Sequence, residues 1–120
     1  MLELFVLLSI KHAVADLMLQ SLKYKPGSKK KSEYPMGGQW HYLDHSALTF
    51  CVFIFFVPWK IALLAAVVDH IFHWHIDYAK QRYIQWRNIP IRSMPYWNAA
   101  CVDQILHFIT YYLLVVTFYI

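Results

Sequence analysis

The residues that could do chemistry in this chain are its histidines and acids, seven of each, and their spacing is regular. His12, Asp16 and Gln20 stand four apart. Asp69, His73 and Asp77 repeat that interval, with His70 seven residues before Asp77. Asp103 and His107 repeat it again, with Gln104 adjacent, and His45 follows His41 at the same distance. A step of four returns to one face of an α-helix, and a step of seven nearly closes two turns. Imidazoles and carboxylates converging from several helices are how bundles build metal sites. Such a mixed shell favours Zn, Mn or Fe over Mg or Ca, which prefer oxygen alone.

The expected metal ligands are His12, Asp16, His45, His70, His73, Asp77, Asp103 and His107. They are more than one tetrahedral ion can use and suit a two-ion centre with Asp77 or Asp16 as the bridge. Gln20, Asp69 and Gln104 are expected to support these ligands through hydrogen bonds. Asp77, Lys80 and Arg82 form the expected catalytic group, the two cations neutralising a phosphate. Lys11 should pair with a carboxylate or extend its ammonium toward the headgroups. His75 points nearly opposite Asp77 and reads as structural, and His41 and Asp44 read equally well as loop residues. A lone His–Asp pair in a membrane is more often a contact between helices than a ligand set. Repetition on all the apolar runs favours metal.

The elements that must position these groups follow from composition. The 120 residues are 59% hydrophobic, 18% aromatic and 15% charged, against about 25% charged in ordinary soluble domains. Disorder needs the opposite balance. Four apolar runs of roughly spanning length predict an all-α, polytopic membrane protein, a single domain over 1–120. Its four transmembrane helices, at about 2–22, 43–57, 61–80 and 98–120, form an antiparallel bundle. Loops at 23–42 and 81–97 are marked by Pro26, Gly27, Pro35, Gly37, Gly38, Pro90 and Pro95. The first run lacks a basic leader region and reads as a span rather than a signal peptide. The second is short enough to require tilt. Trp40, Trp59, Trp86 and Trp97 sit near run ends, where interfacial aromatics belong.

Charge gives the orientation. Nine of the eleven Lys and Arg are Lys23, Lys25, Lys29, Lys30, Lys31, Lys80, Arg82, Arg87 and Arg92, in or beside the two long loops. The positive-inside rule places those loops in the cytoplasm and both termini outside, in the inner membrane. Basic residues filling the loops of an apolar chain suggest lipid headgroups or a phosphorylated lipid as partner, not nucleic acid. The polar stripes fall late in runs one and three and early in runs two and four, so alternating helix direction brings them all to the basic-loop side. A central aspartate costs about 2.5–3.5 kcal/mol on insertion scales, so Asp16, Asp69, Asp77 and Asp103 require compensation. Cys51 and Cys101 lie in apolar stretches without a CxxC pattern and read as buried free thiols.

The ordered set His12-x3-Asp16-x3-Gln20, His45, His73-x3-Asp77-x2-Lys80 and Asp103-Gln104-x2-His107 resembles a bacterial and phage family of small integral membrane proteins, catalogued as domain of unknown function 3307. The resemblance spans nearly the whole chain. The lysine-rich first loop, His70 and His75 are not part of that pattern, and the family implies no established activity. The same polar signature is more loosely similar to membrane-bound metal-dependent hydrolases, which implies hydrolysis only by analogy. The residues themselves lead to a membrane-embedded metal-dependent hydrolase acting on a lipid phosphoester or ester at the cytoplasmic leaflet. Two alternatives are a non-enzymatic interaction or modulatory protein with a structural His/Asp core, and a di-iron oxidoreductase. The substrate, the metal and the oligomeric state are left open.

Overall fold

The computed structural model describes residues 1–19 and 39–120, and among these the chain is all-helical, with no strand. Helix α1, Leu2–Ala13, passes directly into a π-helical segment, Val14–Leu19. Helices α2, Gln39–Phe53, α3, Trp59–Trp86, and α4, Met94–Phe118, follow. Each helix packs on the next in the chain and α1 closes on α4, so the four form a ring around one interior. The long dimension is 44 Å against 24 and 23 Å across.

The connections are set by local chemistry. After α3, Asn88 takes a left-handed conformation (φ 49°), which asparagine tolerates at a helix end. Ile89 N–H donates to Ile84 O (3.0 Å) and Asn88 N–H to Gln85 O (3.1 Å), the pair of bonds that ends a helix in a Schellman motif. Pro90 cannot resume the helix. Ser93 then caps α4, its Oγ accepting from Tyr96 N–H (3.4 Å). Pro95 lies in the first turn, where its missing N–H costs nothing. Between α2 and α3 the backbone folds through a turn at 54–58, and Pro58 is the N-cap of α3.

Several boundaries differ from the sequence expectation, among them the end of α2, at Phe53 rather than 57, and the end of α1, at Ala13 where the π-helical segment takes over. Helix α2 begins at Gln39 rather than 43, α3 extends to Trp86 rather than 80, and α4 starts at Met94 rather than 98. Apolar runs mark where a helix is greasy, whereas i→i−4 hydrogen bonds continue through polar turns until a cap stops them. At 28 residues, α3 is about 42 Å long. By length and composition, α4 is the one helix among the described residues apolar enough to cross a membrane. Helices α1 and α2 are short, and Lys60, Asp69, Asp77 and Lys80 punctuate α3.

The interior divides into two ends. Beside the termini and the 54–58 turn, Leu4, Leu8, Phe53, Ala62, Ala65, Leu114 and Val115 form an apolar core. The small Ala62, Ala65 and Ala66 on α3 let neighbouring helices approach closely. Farther along the axis the interior is polar. Among the described residues, twelve buried ones are polar or charged and eleven are hydrophobic, while Val6, Ile10, Leu63, Leu64, Ile105, Ile109 and Leu113 face outward. The usual polar-out arrangement of a water-soluble bundle is therefore inverted over much of the surface. Cys51 and Cys101 are free but exposed, contrary to the expected burial. Each lies on the outward side of its helix, where an apolar neighbourhood in sequence does not mean an interior position.

Candidate metal centre

The first polar layer above the apolar core is an ion pair. Lys11 on α1 lies 3.0 Å from Asp69 Oδ2 on α3, with the two side chains 4% and 1% exposed. Thr49 Oγ1 of α2 donates to the same oxygen, and the ammonium stands 4.5 Å over the Tyr111 ring of α4. All four helices thus contribute to one compensated charge pair. Two buried charges need this much satisfaction, because desolvation otherwise costs several kcal/mol per ion.

The next layer carries five imidazoles and three carboxylates. Asp16, in the π-helical segment, receives three histidines. His45 Nε2 is 2.8 Å and His41 Nε2 3.1 Å from Oδ1, and His12 Nε2 is 3.0 Å from Oδ2. Asp77 sits across the interior, with His107 Nε2 3.0 Å from Oδ1 and His73 Nε2 3.4 Å from Oδ2. His41 Nε2 is 3.8 Å from Asp77 Oδ2 and joins the two halves. Asp103 Oδ1 lies 3.3 Å from His107 Nε2, and Asp103 Oδ2 lies 3.4 Å from Lys80 Nζ. The His73 ring is stacked between those of His45 and His107, at centroid distances of 3.8 and 4.0 Å. π-helical turns are rare and concentrate at functional sites, and here one carries the carboxylate that gathers three histidines.

These donors fit a metal ion. Asp16, His41, His45 and His73 offer ligand atoms within 4.8 Å of one another, as do His73, Asp77 and His107. Donors around a tetrahedral ion at 2.0–2.3 Å are about 3.3–3.8 Å apart, so modest side-chain rotation closes the shell. Both ring nitrogens of His73 lack a hydrogen bond although the residue is 1% exposed, and Asp77 is in contact with Nε2 without hydrogen-bond geometry. With neutral histidines, Asp16, Asp77 and Asp103 against the single ammonium of Lys80 leave two negative charges in this layer, the charge of one divalent cation.

The second nitrogen of each histidine decides how readily it can ligate. His12 Nε2 faces two acceptors, Gln104 Oε1 at 2.9 Å and Asp16 Oδ2 at 3.0 Å, so in the neutral ring it carries the proton and Nδ1 accepts from the Tyr111 hydroxyl. His45 Nδ1 faces Lys11 Nζ at 3.2 Å. An ammonium only donates, so Nδ1 is the acceptor and the proton rests on Nε2, directed at Asp16. His45 therefore orients Asp16 for as long as Lys11 holds it.

Of the expected ligands, His12, Asp16, His45, His73, Asp77, Asp103 and His107 come together in this layer. His70 does not. It is half-buried, with Nε2 2.9 Å from Gln39 Oε1 and Nδ1 3.5 Å from Ser46 Oγ, turned toward α2 because Lys11, Thr49 and Asp69 fill the interior at its level. Gln104 supports the site as expected, bridging His12 Nε2 (2.9 Å) and Asp103 Oδ2 (3.3 Å). Asp69 reaches it only through Lys11 and His45. Lys80 lies beside Asp103, whereas Arg82 is exposed farther along α3. His75 is on the outer surface, bonded to Ile71 O. Gln20 and the lysines of the first loop lie outside the described residues. His41, read with the loop, is a buried member of the cluster, and its signal was the four-residue step to His45.

No curated protein and no solved structure matches the chain. A family model described as a protein of unknown function, DUF3307, matches residues 4–120. That match covers the π-helical segment and all four helices that supply the cluster, and the chain belongs to the DUF3307 family.

Proposed function

We propose that this protein is a membrane-embedded metal-dependent hydrolase that acts on a lipid phosphoester or ester at the cytoplasmic leaflet. The observation that carries the reading is His73, a fully buried imidazole stacked between two others, with neither ring nitrogen hydrogen-bonded. A buried polar atom left unsatisfied costs about 1–3 kcal/mol, and a metal ion removes that cost while neutralising the surrounding carboxylates.

The membrane setting rests on the inverted surface. Apolar side chains face outward, whereas Lys11, Asp69, Asp77 and Asp103 are buried and the exposed charges Glu3, Lys60, Arg82, Arg87 and Arg92 lie toward helix ends. The 44 Å axis matches a bilayer with its headgroups, about 40–45 Å. In this reading all four helices span, α1 together with its π-helical continuation. The basic connections lie in the cytoplasm and the termini outside.

A Zn, Mn or Fe ion at such a site supplies Lewis-acid stabilisation of an ester or phosphoryl oxygen and makes water a competent nucleophile. The chain's own residues then have distinct tasks. Asp77 and Asp16 anchor the ligand set from opposite sides, and His41 and His73 join the halves. Asp103 Oδ1, buried without a hydrogen bond, is placed to take a proton from attacking water. Lys80 Nζ neutralises the phosphate, and Arg82 draws the headgroup toward the layer. One divalent ion balances the two negative charges, and a second requires the charge that a substrate phosphate brings.

The test is hydrolysis of phospholipids by protein loaded with Zn, Mn or Fe in nanodiscs, with released fatty acid and phosphate as the readouts. Metal-dependent release, lost in Asp103→Asn and Lys80→Ala with metal content retained, is expected. Metal-loaded protein that cleaves neither bond class contradicts the enzyme reading and leaves an interaction protein with a metal core. Oxygen consumption by an iron-loaded form points to oxidation instead.

A further inference from the structure

A groove of about 440 Å³ lies between α3 and α4, within the usual range of ligand pockets, with Ile76, Ala79, Lys80, Ala99, Val102 and Asp103 among its walls. Its shape follows from sequence. Alanines at 79 and 99 leave room where larger side chains would close the helix–helix seam. Its chemistry is asymmetric: the wall is apolar except where Lys80 and Asp103 meet at 3.4 Å, with Asn98 and Tyr83 nearer the 87–93 connection. Asp103 Oδ1 in turn contacts His107 Nε2 of the metal layer. An apolar trough that opens on the outer surface of a bundle and meets a cation beside a candidate metal centre has the polarity of a phospholipid. The chain takes the trough and the phosphate takes the ammonium.

We propose that the α3–α4 groove seats one anionic glycerophospholipid, its acyl chain along Ile76, Ala79, Ala99 and Val102 and its phosphate against Lys80. This rests on the membrane and metal-centre reading above, and it deepens that reading by naming the lateral route by which substrate reaches Asp103. The charge of this end of the bundle favours an anion, because Arg82, Arg87 and Arg92, which do not line the groove, are exposed on or beside the α3–α4 connection, whereas Asp103 is buried and paired with Lys80. Placing a phosphate near Lys80 in a low-dielectric surround strengthens the contact.

The experiment is photolabelling of the full chain in nanodiscs containing phosphatidic acid with a diazirine in its acyl chain, mapped by mass spectrometry. Label is expected on α3 between residues 76 and 83 and on α4 between 95 and 106. It should be competed by unlabelled phosphatidic acid, and not by phosphatidylcholine or inorganic phosphate. Ala79→Trp and Ala99→Trp should each lose that label while retaining wild-type metal content, which also reports that they fold. Wild-type label spread evenly over the outward faces of all four helices overturns the proposal, as does competition by inorganic phosphate alone. Specific label without lipid hydrolysis leaves the groove standing and removes the enzyme. Hydrolysis undiminished by both tryptophans removes the groove and leaves the enzyme.

Discussion

Lys11 Nζ stands 3.2 Å from His45 Nδ1 and 3.0 Å from Asp69 Oδ2, so a buried ammonium links an ion pair in one layer to a histidine in the next. Because lysine has no acceptor to offer, it fixes which nitrogen of His45 carries the proton. In metal-free protein with ¹⁵N-labelled histidine, His45 should show a protonated Nε2 and an unprotonated Nδ1. The opposite tautomer, or loss of the Nδ1 signature only in Asp16→Asn and not in Lys11→Met, contradicts this coupling.

Removing one member of the buried pair should be far worse than removing both. Lys11→Met leaves Asp69 as an uncompensated interior charge, and breaking such a pair costs about 3–5 kcal/mol. The double variant Lys11→Met/Asp69→Leu should recover most of that loss. Thermal unfolding in one detergent measures it, and a double variant as unstable as the single one contradicts the pairing.

His41 and His70 give a direct comparison of two histidines that the sequence ranks in the opposite order. His41→Ala should lower metal affinity, by roughly 10-fold or more, since even an outer-shell partner carries that much. His70→Ala should leave affinity unchanged, because His70 bonds Gln39 and Ser46 outside the cluster. Metal titration of the two variants decides, and an effect at His70 equal to that at His41 contradicts the layer as described.

The two native thiols report on the surroundings of the bundle. Cys51 and Cys101 are exposed, yet they lie on faces that the membrane reading covers with lipid. A charged, water-soluble maleimide should therefore fail to label them in sealed vesicles and label both after unfolding. In a cysteine-free background, Arg92→Cys should react only from the cytoplasmic side. Rapid labelling of both native thiols in intact vesicles, or of Arg92→Cys from outside, contradicts the embedding or the orientation.

Much of the site was legible because the helical period makes it so. His12 and Asp16, His73 and Asp77, and Asp103 and His107 are each one turn apart and do meet, and the match in depth between antiparallel helices brought them to one layer. What periodicity cannot give is height and occupancy. His70 shares an angular sector with Asp77 but sits about 10.5 Å lower on the axis, where Lys11 already fills the interior. His41 was hidden because helix α2 starts before its apolar run does. The π-helical turn that carries Asp16 leaves no mark in a pattern read at 3.6 residues per turn, and the outward position of the cysteines follows from packing rather than from their neighbours in sequence.

The most direct test of the central claim is the metal content of purified, detergent-solubilised protein, for wild type and for Asp77→Ala, His73→Ala and His107→Ala. The account predicts at least about one transition-metal ion per wild-type chain, bound through deprotonated ligands and so released on acidification, and its loss in all three variants while the helical content is retained. Folded wild-type protein that holds no metal and cannot be loaded with Zn, Mn or Fe would contradict it, and the stacked histidines would then be a hydrogen-bonded core.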